Sequence, residues 1–214
     1  MTLEPEQFGL RERKRLATRR AIEFAALDLV AERGLDKVTV DEISRVADVS
    51  PRTFFNYFAS KEAALVGDTP ELPPEDLLVR YINAGRNAST FDGIGELVAV
   101  AWERAADDGE LLLRRRDVLK AYPHLFAMRI TAMHGFEDQI REVVSRRLSL
   151  DDPELAKDAD ALLSKSRLVT LVAFAAMRHA WACWADNDGA ASLSERLRSS
   201  FAELDQLLAP TDAA

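Results

Sequence analysis

The stretch "VSPRTFFNYFASKEAAL", residues 49–65, mixes aromatic rings with Arg52, Thr53, Asn56, Tyr57 and Lys61, polar groups suited to contacts outside the chain. A guanidinium fork matches the O6/N7 edge of guanine, a carboxamide matches adenine, and a threonine methyl or hydroxyl meets a thymine methyl or a phosphate. That chemistry requires Arg52, Asn56 and Thr53 to stand on the outer side of one rigid element. Taking Phe54 as the origin of a helical wheel, Phe58 falls about 40° away and Arg52 and Asn56 nearly opposite, with Thr53 and Phe55 on the flanks. Phe54 and Phe58 then anchor the helix while Arg52 and Asn56 face out.

The surrounding elements are marked by local signals. A first helix spans about Lys14 to Arg33 and stops at Gly34, with Ile22, Ala26, Leu29 and Val30 on one face. Thr39 caps a second helix and Glu42 completes a capping box, while Val40, Ile43, Val46 and Ala47 form its apolar stripe. "DVS" (48–50) turns the chain, Ser50 caps the third helix, and Pro51 occupies its first turn. Ser60 caps a fourth helix that holds Glu62, Ala63 and Leu65. A short helix, a three-residue turn and a short capped helix with polar outer residues form a helix-turn-helix pattern.

Charge distribution agrees with that pattern. The chain of 214 residues has a net charge of −8, which taken whole opposes binding to phosphate. Yet residues 8–62 carry eleven Lys/Arg against nine Asp/Glu, and residues 63–214 carry seventeen against twenty-five. Within "RERKRLATRR" (11–20) six residues are basic and one acidic, and screening lets such a local arm outweigh distant acids. A solvated helix face accounts for the same run equally simply.

Segment 18–65, "TRRAIEFAALDLVAERGLDKVTVDEISRVADVSPRTFFNYFASKEAAL", resembles the DNA-binding domain of the tetracycline-repressor (TetR) family. The resemblance rests on the Thr-Arg opening, "ERG", the Thr39 start, and the aromatic helix followed by Ser60-Lys61-Glu62. Asp48 stands where the family usually has a turn glycine, and Phe55 where it usually has tyrosine, without a hydroxyl for phosphate. The resemblance implies DNA contacts from Thr18, Arg19, Thr39, Ser50, Arg52, Thr53, Phe55, Asn56, Tyr57 and Lys61, with Tyr57 and Lys61 on phosphate. It implies a homodimer on a double-stranded palindromic operator, released by a small hydrophobic effector. The helix pattern of 110–186 is similar to the mycofactocin-regulator branch of the family, which implies an acyl-CoA-like effector.

An all-α protein of about nine helices is expected, since period-2 alternation is almost absent. The domains divide into 8–66, the helix-turn-helix unit, and 67–210, a helical ligand-binding and dimerisation domain joined through "DTPELPP" (68–74). Helices are expected at 75–88, 92–107, 110–121, 123–148, 153–186 (opened by Asp152 and Pro153) and 192–208 (opened by Ser192). Hydrophobic residues at 48% and charged residues at 30% suit a globular chain able to bury a core.

The run 168–184, "LVTLVAFAAMRHAWACW", contains Arg178 and His179 and is shorter than the roughly 20 apolar residues that span a bilayer, so it reads as a buried helix. Its line of Ala173, Ala176 and Ala180 would let a partner subunit approach closely, or would serve the domain's own core. Trp102, Phe126, Met133, Phe136, Phe174, Met177 and Trp181 are candidates to line an effector cavity, or plain core. Arg114, Arg115 and Arg116 with Lys120 offer an anion site or a solvated face.

Catalysis has no foothold. His124, His134 and His179 are scattered, Cys183 is the one cysteine, and no phosphate loop or nucleophile motif occurs. No enzyme activity, metal or cofactor is expected. The N-terminus lacks an apolar signal segment and a single cysteine precludes an internal disulfide, so a cytoplasmic location without a membrane anchor is expected. An enzyme or carrier on the C-terminal helices and a non-specific DNA binder are the rival readings, and outward Arg52 and Asn56 favour sequence reading over the latter.

Overall fold

The computed structural model describes residues 9–105, 108–186 and 192–208, and all regular elements among them are helical. Ten α-helices follow in order: α1 (Leu10–Arg33), α2 (Val40–Val46), α3 (Pro51–Tyr57), α4 (Lys61–Val66), α5 (Glu75–Ile82), α6 (Thr90–Arg104), α7 (Gly109–Ala121), α8 (Pro123–Asp151), α9 (Ala159–Asp186) and α10 (Leu193–Leu208). Two 3₁₀ turns, Leu35–Lys37 and Leu155–Lys157, complete the set. The expected all-α class is observed.

The helices belong to two compact units, one of residues 1–68 with 111–129 and one of 69–110 with 130–214. The first unit is built from local signals. The Thr39 hydroxyl accepts from the Glu42 amide at 3.3 Å while the Glu42 carboxylate accepts from the Thr39 amide at 3.0 Å. Ser50 accepts from Thr53 N at 3.0 Å, and Ser60 from Ala63 N at 3.2 Å. Asp48 adopts φ 52°, the left-handed conformation the α2–α3 turn demands. Ile22, Leu27, Ile43, Phe54, Leu65 and Leu125 are buried together as its core.

This core also takes in Leu111, Val118 and Leu119 of α7. Residues 111–129, placed beyond residue 66 in the expected division, thus pack with the helix-turn-helix. Polar ties reinforce them: the Tyr122 hydroxyl accepts from Leu35 N at 3.0 Å, and Arg115 Nε donates to Leu65 O at 3.0 Å. Arg129 Nη1 donates to Asp68 O at 2.6 Å and, more distantly, to the carbonyls of Val66 and Gly67.

In the second unit α10 packs on both α6 and α9. A Cβ added to Gly95 would lie 2.6 Å from Phe201 Cβ, so glycine permits the α6–α10 approach. Arg147, 1% exposed, donates to Gly85 O, Ala88 O and Ser89 O, pairs with Asp151 at 3.3 Å and lies 4.7 Å over the Tyr81 ring. Burial pushes the Tyr81 hydroxyl up to about 12.

Boundaries differ most from expectation at three places. Helix α5 ends at Ile82 rather than near residue 88, with Asn83 at its C-cap. Helix α1 begins at Leu10, because the arginine-rich run is itself a good helix former. The long helix opens at Ala159 rather than at Pro153: Asp152 caps the 3₁₀ turn through Glu154 N and Leu155 N, and Asp158 caps α9 through Ala161 N.

Candidate nucleic-acid interface

Helix α3 is seven residues long, too short to stand alone, and is held from both ends and beneath. Ser50 caps it, Phe54 is fully buried, and Phe58 at its C-cap is 4% exposed. The Phe54 ring meets Phe58 at 5.9 Å and Phe55 edge-on at 5.5 Å. Opposite that anchor, Arg52, Phe55 and Asn56 stand at i, i+3 and i+4 on one exposed face. Neither Arg52 nor Asn56 has a hydrogen bond or ion pair among the described residues. Phe55, expected on the flank, is 57% exposed and belongs to this outward face.

Other sequence candidates are partly committed within the protein. Thr53 is half-buried, its hydroxyl 2.8 Å from that of Ser50. Tyr57 packs half-buried against the core cluster. Lys61 Nζ donates to Leu35 O at 2.8 Å and Val38 O at 2.9 Å, leaving one ammonium proton for an outside acceptor. Thr39 is exposed while its hydroxyl works in the capping box. The hydrogen bond from the Thr39 amide, with help from Arg33, holds the Glu42 carboxyl below its ordinary range. Thr18 is half-buried on α1.

Arg19 is turned away from solvent. It lies 4.3 Å over the Phe58 ring and pairs with Asp68 at 2.6 Å and Glu23 at 3.8 Å. Glu23 also pairs with buried Arg115 at 3.2 Å. Burial raises the Glu23 carboxyl against the pull of Arg115 and Arg19, and it lowers both Arg115 and Arg129, the latter to about 10. Sequence reasoning missed this charge cluster because its members are far apart along the chain. Each member of the arginine triplet has an acidic partner: Arg114 pairs with Asp28, Arg115 with Glu23, and Arg116 with its neighbour Asp117.

The effector candidates fall into both units. Phe126, in the first, is 53% exposed. In the second, Trp102, Phe136 and Phe174 form a row with centroid spacings of 6.3 and 6.1 Å, all buried, with Met133 buried as well. Met177 and Trp181 are half-buried, and Trp181 meets Trp184 at 5.3 Å. Ala173, Ala176 and Ala180 are 1, 8 and 0% exposed within the protomer, so the small-residue line faces the unit's own core. The outer side of α9 instead carries Leu163 and Leu168, 53 and 63% exposed. Helix α9 is long and apolar enough to cross a bilayer by length and composition, but its inner face is committed to protein packing.

The sequence profile for "Bacterial regulatory proteins, tetR family" matches residues 24–66, the span that contains the C-terminal part of α1 and all of α2, α3 and α4. MftR of Mycobacterium tuberculosis, described as a candidate mycofactocin biosynthesis regulator, is 30% identical over 138 residues, covering 63% of this chain and 68% of its own. The transcriptional regulator TcmR of Streptomyces glaucescens is 28% identical over 159 residues, 69% of this chain and 67% of its own. FadR of Bacillus subtilis, solved in complex with stearoyl-CoA, shares the fold at TM-score 0.50 and 17% identity, covering 86% of this chain and 96% of its own. These relatives are regulators rather than enzymes. With the capped helix-turn-helix, the outward α3 face and a relative matched over two thirds of its length, the chain belongs to the tetR family of bacterial regulatory proteins.

Proposed function

We propose that the protein is a ligand-released transcriptional repressor that grips a palindromic operator as a homodimer, with α3 in the major groove. The observation that carries this is the α3 face. Arg52 and Asn56 are exposed, without a hydrogen bond or ion pair among the described residues, on a helix whose other side is pinned by Phe54 and Phe58. Arg52 reads guanine and Asn56 adenine, while Tyr57, Thr39 and the free proton of Lys61 meet phosphate. Arg19 acts indirectly, by holding α1 against Phe58 and Asp68. A repressor of this kind works in the cytoplasm, where the DNA is.

The dimer contact falls on the outer sides of α9 and α10, where Leu168 and Leu207 are 63 and 83% exposed. An acyl-CoA-like or other hydrophobic effector is supported by the fold shared with FadR and by the aromatic row of the second unit. Linkage requires that an effector and the operator weaken each other by the same factor.

Selection of bound fragments from random DNA tests the reading. The recovered sites should form inverted repeats with half-sites about 34–36 Å apart. Arg52→Ala should cost about 1–3 kcal/mol on such a site and relax one base position, whereas Lys61→Ala should weaken all sequences alike. Equal loss by Arg52→Ala on selected and random DNA would remove Arg52 as a base reader.

A further inference from the structure

A polar cleft of about 360 Å³ lies in the second unit between α8 and α9. Its walls are two facing stripes: His134, Glu137, Asp138 and Arg141 at i, i+3, i+4 and i+7 on α8, and Arg167, Thr170 and Leu171 on α9. None of these residues belongs to the aromatic row or to the α3 face.

We propose that this cleft binds a small zwitterion, an amino-acid-sized molecule whose carboxylate rests on Arg167 and the Thr170 hydroxyl and whose ammonium faces Glu137. Two observations carry it. The first is the Thr170 hydroxyl. Its residue is 1% exposed, yet its Oγ1 has no hydrogen-bond partner among the described residues. A helical hydroxyl ordinarily returns its proton to a carbonyl one turn back. Ser166, one turn earlier on α9, does so with Leu163 O at 3.0 Å, and Ser149 on α8 with Ser145 O at 2.8 Å. Thr170 does not, and a buried polar atom in that condition gains most from an incoming partner.

The second observation is the charge pattern. Arg141 is neutralised by Asp138 at 3.1 Å. That leaves Arg167 and Glu137, opposite in sign and lining one cleft, with no ion pair to each other or to any described residue. A bare anion drawn to Arg167 would meet the Glu137 charge, and a bare cation would meet Arg167. A molecule that carries both signs completes both, with Leu171 beside its alkyl spacer and His134 as a further hydrogen-bonding group. Arg167 and Thr170, three residues apart on α9, are placed to share one carboxylate. The volume lies within the range of small-molecule pockets, roughly 300–1,000 Å³.

The test is calorimetric titration of the full chain with glycine, aminobutanoate and aminohexanoate, against butanoate and butylammonium as the two half-ligands. At least one amino acid of the series should bind about tenfold or more tightly than either half. Arg167→Met, Thr170→Val and Glu137→Gln should each weaken it by about tenfold. Without ligand, Thr170→Val should melt no lower than the unaltered protein, because no hydrogen bond is lost. Binding of butanoate as tight as the best amino acid would overturn the zwitterion class. No binding by any member of the series, or affinity unchanged in all three variants, would overturn the site.

Discussion

Helices α2, α3 and α4 are seven, seven and six residues long, whereas α8 and α9 run for 29 and 28. Helices of two turns do not persist in water, so the first group depends on hydroxyl caps and on ties brought from elsewhere in the unit. Tyr122, Arg115 and Arg129 supply these ties, and Lys61 closes the 3₁₀ turn ahead of α2. The second unit depends on side-chain packing instead, and Gly95 shows how closely α6 and α10 approach. The reading unit is therefore sensitive to single polar groups, and the second unit to volume.

Breaking the polar tie should give the largest effect. Arg115→Met leaves the buried Glu23 without its strongest counter-charge and should cost about 3–5 kcal/mol in urea unfolding. Adding Glu23→Leu should recover most of that, and a single variant within about 1 kcal/mol of wild type would mean the tie is dispensable. Volume should decide the second unit. Gly95→Ala forces a methyl onto Phe201 and should cost about 1–3 kcal/mol without any change in charge. Thr39→Ala removes one half of the capping box and should cost about 0.5–2 kcal/mol, read from the same unfolding curves.

Acid titration sharpens the contrast between two carboxylates of the reading unit. Glu42 is held below its ordinary value of 4.5, so its contribution is present above that pH and is lost as pH falls through the lowered value. Glu42→Gln should therefore flatten the acid limb of stability. Glu23 is held above 4.5 by burial, so its own contribution declines as pH rises from 4.5 through the raised value. The smallest effect is expected at the turn: Asp48→Gly should stabilise by less than about 1 kcal/mol, since glycine adopts positive φ without steric cost.

What the sequence makes legible follows the same division. Thr39 with Glu42, Ser50 with Pro51, and Ser60 each bond an amide three residues on, so four neighbouring letters identify each helix start. Asp48 is legible for the same reason. The start of α9 is not, because Asp152 and Asp158 both cap, and only the packing of the intervening turn decides which opens the long helix. Nor can the sequence orient the Ala173–Ala180 line, since a stripe of small residues fits a partner or the chain's own core equally well. Arg19, Arg114 and Arg115 read as phosphate or anion ligands until Asp68, Asp28 and Glu23 arrive beside them through the fold.

Arg147 has a further consequence, and it concerns proteases. The 83–89 segment joins α5 to α6 at the surface and carries Arg86, whose side chain is 66% exposed, the kind of peptide that trypsin cuts readily. Cleavage requires a stretch of backbone to leave the surface and extend into the enzyme. Here the carbonyls of Gly85, Ala88 and Ser89 are all held by one buried guanidinium. The bond after Arg86 is therefore guarded by Arg147, and its rate of cutting reports how often that single side chain lets go.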